Sequence, residues 1–90
     1  MYFVYILVCL QSGRSYVGHT DNLIRRFHLH QAGSTRTTRE KLVAPVMVYW
    51  SSHPSRSEAM RQERYYKTGS GHRMKRAIIA SCLKALWPEG

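Results

Sequence analysis

Apolar runs and amphipathic stretches alternate along this chain in an order that predicts strands and helices. Residues 2–10 form a continuous apolar run rich in aromatic and β-branched side chains. Such a run is typical of a strand covered on both faces, so we expect it at the centre of a sheet. Residues 11–14 carry a turn signal, and residues 15–20 predict the returning strand of an antiparallel hairpin.

The length of the turn sets the expected register of this hairpin. If residues 12–13 alone form the turn, Tyr16 lies opposite Cys9 and Tyr5 lies opposite Thr20. Side chains alternate along a strand, so Tyr5 and Tyr16 then point to the same face of the sheet. A turn longer by one residue would reverse this arrangement.

A helix is predicted to follow directly after the hairpin. It covers residues 22–32, begins at a cap formed by Thr20 or Asp21, and ends at Gly33. Three apolar side chains form its inward stripe: Leu23, Ile24 and Phe27.

The middle of the chain predicts a loop, a third strand and a second loop. Residues 34–41 are polar, basic and without periodicity, which is typical of an exposed loop. Residues 46–50 are apolar and predict a strand that enters the same sheet. Residues 51–54 predict the loop that leaves it.

Two further helices complete the predicted order. Ser55 or Ser57 can cap the first of them, which ends near Thr68, and the glycines of residues 69–71 break it. The last helix covers residues 72–86, and its buried stripe consists of Ile78, Ile79, Cys82 and Leu86.

The order β-β-α-β-α-α predicts an α/β (α+β) fold: a small central three-stranded sheet with an N-terminal antiparallel hairpin, flanked by helices. With 90 residues, of which 43% are hydrophobic, the chain can build one modest core, so residues 1–90 are expected to form a single domain.

The charge balance of the chain indicates the kind of partner that it binds. Fourteen Lys and Arg residues against five Asp and Glu give a net charge of +9, spread along the chain. This excess favours a polyanionic partner, with nucleic acid first and an anionic membrane surface second. No stretch approaches the ~20 apolar residues that span a bilayer. No secretory signal is apparent, and both cysteines lie in apolar stretches, so we expect buried thiols and a cytoplasmic location.

The first candidate functional site is a group of side chains that could bind a phosphate. Tyr5 and Tyr16 share a face, and Gly18 between them leaves room for a ligand. Arg26 and His30 lie one helical turn apart at the start of the next element, and a guanidinium with an imidazole suits a phosphate. Taken singly, each tyrosine is explained more simply as a core residue whose hydroxyl reaches solvent.

The acidic residues are few enough to sort by elimination. Asp21 and Glu58 fall at predicted helix starts, where they suit the helix dipole, while Glu40 lies in a loop and Glu89 is next to the last residue. Glu63 falls on the inward side of a helix, where a carboxylate needs either an ion-pair partner or a bound cation. Both explanations stay open. So sparse an acid set cannot readily hold two metal ions, but one hard cation on Glu63 is compatible with it.

These residues together resemble the GIY-YIG endonuclease superfamily, in its small stand-alone single-domain branch, over residues 2–80. The matching motifs are Phe3-Val4-Tyr5, Tyr16-Val17-Gly18, Arg26 with His30, Glu63, and Lys67-Thr68-Gly69-Ser70-Gly71. Two positions depart from the family pattern. The first motif reads Phe-Val-Tyr instead of Gly-Ile-Tyr, and Ile78 stands where larger members carry a late asparagine.

The resemblance implies hydrolysis of a DNA or RNA phosphodiester bond with one Mg²⁺ or Mn²⁺ ion on Glu63. DNA is favoured over RNA, and the expected role is repair or recombination. It implies that Tyr5 and Tyr16 lie at the nucleophile, that Arg26 neutralises the scissile phosphate, and that His19 and His30 assist. The nucleophile is then either a water activated by a phenolate, which Arg26 or His19 would favour, or a metal-bound water.

Seven further basic residues are predicted to contact nucleic acid, mainly through backbone phosphates. They are Arg25, Arg36, Arg39, Lys67, Arg73, Lys75 and Arg76. The alternative function is a nucleic-acid-binding module on the same fold with little or no cleavage, or an adaptor that needs a partner protein for targeting.

Overall fold

A computed structural model describes residues 1–9, 11–32 and 45–86 of the chain. The elements follow the predicted order β-β-α-β-α-α, which confirms the α+β class. They are β1 (Tyr2–Val8), β2 (Ser15–Thr20), α1 (Leu23–Gln31), β3 (Val46–His53), α2 (Arg56–Tyr65) and α3 (Gly69–Leu86). The predictions for Gly33 and for the loop over residues 34–41, which contains Arg36 and Arg39, lie outside the described residues.

The sheet is antiparallel throughout, with the strand order β2-β1-β3. The central position of β1 explains its continuous apolar run, because a helix layer covers each face of this strand. Its residues Val4 to Val8 are at most 1% exposed. The two outer strands reach solvent on their free edges, and their sequences are correspondingly more polar.

The predicted hairpin register is wrong by two residues, since Tyr5 lies opposite Gly18 and Tyr16 lies opposite Leu7. The turn is longer than expected. The Cys9 N–H donates to the Arg14 carbonyl at 2.9 Å, and the Gly13 N–H donates to the Cys9 carbonyl at 2.8 Å. A shift of two residues preserves the faces of a strand, so Tyr5 and Tyr16 still share one.

Helix α1 covers the face of the sheet that carries Tyr5. Its Leu23 and Phe27 pack on a buried cluster that contains Tyr5 and Leu7. Ile24, which was predicted to point inward, is 74% exposed because one step along a helix turns its side chain away from the Leu23 and Phe27 stripe.

Neither of the predicted caps of α1 is correct. Asn22 caps the helix, with its Oδ1 accepting the Arg25 N–H at 3.0 Å. Thr20 instead accepts the N–H of Asn22 at 3.1 Å, which fixes the turn between the hairpin and the helix. The local sequence offered several polar side chains, and only the chain geometry selects among them.

Helices α2 and α3 cover the opposite face. Ala59 and Tyr66 form a cluster with the even-numbered β1 residues Val4 and Ile6, and Ile78 and Ile79 of α3 pack against it, as their predicted inward stripe requires. The sheet therefore separates an α1 layer from an α2–α3 layer.

The boundaries in the second half differ from the prediction in two places. β3 continues to His53, through the residues expected to form a loop. Helix α2 begins after its Ser55 cap, as one alternative had it, but α3 begins at Gly69 and not at His72.

The early start of α3 has a local cause. The Thr68 hydroxyl accepts the N–H of Gly71 at 3.2 Å, as an N-cap does. Gly71 also lies against the backbone of Tyr65, where a Cβ atom would collide. Gly71 therefore permits close packing in the first turn of α3, and the break between α2 and α3 lies before the glycines, at residues 66–68. Within the described residues, no helix is long and apolar enough to cross a membrane.

Candidate active site

The Tyr5 hydroxyl is held between two side chains of α1 inside the protein. Its oxygen lies 3.0 Å from Nε2 of His30 and accepts a hydrogen bond from Nε of Arg26 at 3.4 Å. Tyr5 is 0% exposed and His30 is 1% exposed. Because Arg26 is a donor only, the Tyr5 hydroxyl keeps its own proton, which it donates to His30 in the tautomer whose Nε2 is unprotonated. The i, i+4 spacing of Arg26 and His30 on α1 makes this arrangement possible.

Burial sets the protonation states of this cluster. It raises the pKa of Tyr5 to about 12, although the hydrogen bond from Arg26 acts in the opposite direction. Burial, together with the positive charge of Arg26, lowers the pKa of His30. Tyr5 is therefore a neutral phenol and His30 a neutral imidazole near pH 7. The expected shift of Tyr5 towards the phenolate does not occur, because desolvation outweighs the guanidinium.

Gly18 explains how two phenols fit over the same strand position. It lies directly across from Tyr5, and an added Cβ would approach Tyr5 Oη to 2.6 Å and Tyr16 Cε2 to 2.9 Å. The Tyr16 ring completes the cluster, with its centroid 5.3 Å from that of His30 and 6.2 Å from that of Tyr5. The room left by this glycine is thus filled by the two phenols.

A Gly18→Ala variant is expected to lose about 1–3 kcal/mol of unfolding free energy, since the new methyl overpacks a rigid contact. Chemical denaturation would measure this loss. Gly69→Ala is the matched control, because a Cβ there has no heavy atom within 4 Å. Equal stability of the two variants would contradict the tight packing at Gly18.

Acid is expected to destabilise the fold through His30. The pKa of His30 in the folded chain lies below the unfolded value of about 6.5. At a pH between the two values, His30 binds a proton in the unfolded chain but not in the native chain. The free energy of unfolding therefore falls as the pH falls through that interval. Among the described residues, Tyr5, Tyr16 and the positively charged Arg26 face His30.

Thermal unfolding at about pH 7.5 and about pH 5.5 would measure this effect. We expect a larger drop in Tm for the wild type than for His30→Gln, which cannot be protonated. His28→Gln, an exposed histidine on the same helix, should behave like the wild type. An equal acid response in the wild type and His30→Gln would contradict the prediction.

A cleft of about 440 Å³ opens beside this cluster, at the edge of β2 where α1 and α2 begin. Arg25, Arg26 and Arg56 line it together with His19, and Asp21 is the acidic residue in the described lining. Three guanidiniums against one carboxylate favour an anion, and the fork of N–H donors on each guanidinium suits a phosphate.

Arg56 is a cleft residue that the sequence analysis missed. It is the first residue of α2, directly after the Ser55 cap. A cation there opposes the positive end of the helix dipole, which disfavours it unless an anion is bound nearby. This unfavourable placement of a cation is the feature of the sequence that could have identified Arg56 as a binding residue.

Glu63 lies on the α2 side of the sheet, where its carboxylate accepts two hydrogen bonds. His19 donates from Nδ1 to Oε1 at 2.6 Å, and Lys67 donates from Nζ to Oε2 at 3.0 Å. Burial alone would raise the pKa of Glu63, but these two hydrogen bonds outweigh it and hold the pKa below its ordinary value. The ion-pair explanation left open by the sequence is therefore realised.

The sheet separates Glu63 from Tyr5, since neighbouring residues of β2 point to opposite faces and His19 follows Gly18. Both phenols, the guanidinium and the carboxylate, which the resemblance implies for one reaction, therefore do not line one pocket. His19 connects the two groups instead, because it binds Glu63 and lines the same cleft as Arg26. The cleft thus joins the two halves of the predicted site around the free edge of the sheet.

The donor set of Glu63 fits one hard cation. Each carboxylate oxygen accepts one hydrogen bond and retains a second lone pair, and the side chain is 19% exposed. In the described part of the chain, no group of three or more His, Cys, Asp or Glu residues is placed to hold a metal. Glu63 would therefore hold a divalent cation with water and substrate oxygens as the other ligands.

The other predicted phosphate contacts divide between two places. Arg25 lines the cleft, whereas Arg73 and Arg76 lie exposed on α3. Lys75 of the same helix is half-buried, and burial together with the nearby Lys67 lowers its pKa. Lys67 itself is bound to Glu63, so it contacts the candidate metal ligand.

The model of the GIY-YIG catalytic domain matches residues 1–77 of this chain. The chain belongs to the GIY-YIG family. A UPF0213 protein of Limosilactobacillus reuteri is 35% identical over 73% of this chain and 70% of its own length. A UPF0213 protein of Staphylococcus haemolyticus is 36% identical over 77% of this chain and 83% of its own length.

A solved relative agrees in fold with this GIY-YIG domain. The solution NMR structure of a UPF0213 protein from Bacillus halodurans is 30% identical, with a TM-score of 0.50, and the match covers 89% of this chain and 84% of the relative. GIY-YIG domains are nuclease domains that generally use divalent metals, so membership favours phosphodiester hydrolysis and a nucleic-acid partner.

Proposed function

We propose that this GIY-YIG domain is a metal-dependent endonuclease that hydrolyses nucleic-acid phosphodiester bonds, DNA rather than RNA. One observation carries the proposal: the buried Tyr5 hydroxyl is held between Arg26 and His30, and Arg26 also lines a cleft with two other guanidiniums. Placing this activity in DNA repair or recombination in the cytoplasm is part of the same proposal and rests on the resemblance.

Arg26 links the phosphate to the phenol in this proposal. Its Nε–H is donated to Tyr5, while the side chain also lines the cleft. A guanidinium has five N–H donors, so four are left for the oxygens of a phosphate. As the phosphorus centre gains negative charge, Arg26 stabilises it without having to reorganise.

Tyr5 and His30 form a path for the proton of the attacking water. The pKa of about 12 means that a phenolate is not present in advance. A water that reaches Tyr5 Oη from the cleft would pass its proton to this oxygen as the phenolic proton passes to Nε2 of His30. The water oxygen forms the new bond to phosphorus while the bond from phosphorus to the leaving oxygen breaks, and the leaving alkoxide takes a proton from solvent. His30 can accept the proton because its lowered pKa keeps it neutral.

The remaining predicted residues take supporting roles. Glu63 would hold the Mg²⁺ or Mn²⁺ ion, whose chemistry is charge neutralisation on the phosphate and a lowered pKa of bound water. His19 orients Glu63 through its Nδ1 hydrogen bond. Tyr16 packs the cluster from the β2 side. Arg25, Arg73 and Arg76 would contact backbone phosphates away from the scissile bond.

A second candidate is a nucleic-acid-binding module that does not cut. Its supporting observation is that His19 and Lys67 already donate hydrogen bonds to Glu63, so a cation competes with an ammonium group. The family's late asparagine is also replaced by Ile78. This candidate predicts binding that falls steeply with added salt and no cleavage.

Incubation with plasmid DNA, single-stranded DNA and structured RNA distinguishes the two. The proposed nuclease cuts in Mg²⁺ or Mn²⁺ and stops in excess chelator. Salt-dependent binding without any cleavage would select the binding module instead. Cleavage of RNA in preference to both DNA substrates would refute the DNA assignment alone.

A further inference from the structure

An apolar groove lies next to the cleft, on the other side of the start of α1. It has a volume of about 590 Å³ and is lined mainly by apolar side chains of β1, β3 and α1. Trp50 is 53% exposed and Ile24 is 74% exposed, which is unusual for large apolar residues that border one groove. The phosphate chemistry described above does not use this groove.

Trp50 is held in a fixed orientation at the groove. Its ring contacts Phe3 edge to face, with centroids 5.8 Å apart and an interplanar angle of 72°. Both residues lie on the α1 face of the sheet, since Trp50 is the β3 partner of Tyr5. A braced and half-exposed indole offers a flat apolar surface on which another ring can stack.

The groove and the cleft adjoin each other. Asp21 and Asn22 line both of them, so a strand with one phosphate beside Arg26 would extend towards the groove. Among the described residues that line the groove, Asp21 carries the formal charge. A carboxylate repels a phosphate and accepts a hydrogen bond from an exocyclic amino group of a base. The groove therefore favours the base of a nucleotide over its backbone.

We propose that this groove binds an unpaired nucleobase of a single-stranded segment, stacked on Trp50 beside the phosphate in the cleft. This inference rests on the proposed function and adds a substrate class to it. Stacking on an aromatic side chain is the usual way in which proteins bind single strands without reading sequence. Asp21 adds a preference for bases with an amino group, as in adenine and cytosine, over thymine.

The test is binding of a labelled single strand of about ten nucleotides, measured by fluorescence anisotropy in chelator so that no cleavage intervenes. We expect Trp50→Ala to weaken binding about ten-fold or more and Trp50→Phe to change it by less than about three-fold. The salt dependence should not change, because no phosphate contact is lost. Met74→Ala, an apolar residue of α3 that is 50% exposed, is the matched control and should bind like the wild type.

Two further substrates sharpen the result. A strand without bases should bind equally to the wild type and to Trp50→Ala, and a duplex of the same sequence should bind the wild type more weakly than the single strand does. Asp21→Asn should reduce the preference for cytosine and adenine runs over thymine runs. Thermal unfolding of each variant would show that its fold is retained.

Three outcomes would overturn the inference: unchanged affinity of Trp50→Ala, an equal loss on the strand without bases, or a wild-type dimer that Trp50→Ala dissociates, since a second copy would then occupy the groove. If the wild type binds no nucleic acid at all, the proposed function fails as well. Normal cleavage by the wild type, together with no effect of Trp50→Ala on binding, would refute the nucleobase site in the groove but not the proposed nuclease function.

Discussion

Arg26→Ala is expected to lower the rate constant of cleavage by about 100- to 1,000-fold while nucleic-acid affinity falls only slightly. Removing one preorganised donor from a developing oxyanion costs about 3–4 kcal/mol of transition-state stabilisation. Arg26 would fill this role, because one of its N–H groups is fixed on Tyr5 and the rest of its guanidinium lines the cleft. Arg25 and Arg56 stay in the cleft of this variant, so the ground-state attraction for a phosphate is largely kept.

Single-turnover cleavage and equilibrium binding would measure the two effects separately. Arg25→Ala is the matched control, since this residue lines the same cleft but is exposed. We expect it to weaken binding and the salt dependence modestly, with little change in the rate at saturation. Equal losses of binding and cleavage in Arg26→Ala would make Arg26 a docking residue.

Glu63→Ala is expected to reduce cleavage in Mg²⁺ by at least about 1,000-fold. A metal ion on a reacting phosphate supplies several kcal/mol of charge stabilisation, and each 1.4 kcal/mol is about ten-fold in rate. In the described part of the chain no cluster of other metal-ligating residues could take over from Glu63. The substitution also releases His19 and Lys67 from the hydrogen bonds that orient them.

The control for this variant is Glu58→Ala, an exposed carboxylate in the first turn of the same helix. We expect it to cleave like the wild type. Nucleic-acid binding in chelator should be unchanged or tighter in Glu63→Ala, because a negative charge is lost. Full activity of Glu63→Ala in Mg²⁺ would remove Glu63 from the metal site.

The fold was predictable wherever local pattern decides the outcome. The unbroken apolar run of β1 gave its central position, and the side-chain alternation gave the common face of Tyr5 and Tyr16 even though the turn was longer than expected. The hydrophobic and glycine patterns gave wrong predictions where the local backbone geometry determines the structure. Ile24 looked inward by hydrophobicity alone, and Gly71 looked like a helix break until its close contact with Tyr65 was visible.

The residues of the candidate site were predictable from the sequence, but the contacts between distant residues were not. Arg26 and His30 are one turn apart, so their convergence on one face of α1 followed from the sequence. The contact of Glu63 with His19 joins residues 44 positions apart and depends on how α2 packs on the sheet. The direction of the Tyr5 pKa shift likewise depends on burial, which sequence does not specify.

Removal of the Tyr5 hydroxyl tests the central claim most directly, because Tyr5→Phe deletes the one oxygen that joins Arg26 to His30. We expect cleavage in Mg²⁺ to fall by about 100-fold or more, the range for a lost acid–base group, while binding persists. Tyr65→Phe, in a tyrosine that is 37% exposed on α2, serves as the control purified in parallel. Equal cleavage rates for Tyr5→Phe and Tyr65→Phe would contradict a phosphodiesterase centre at Tyr5.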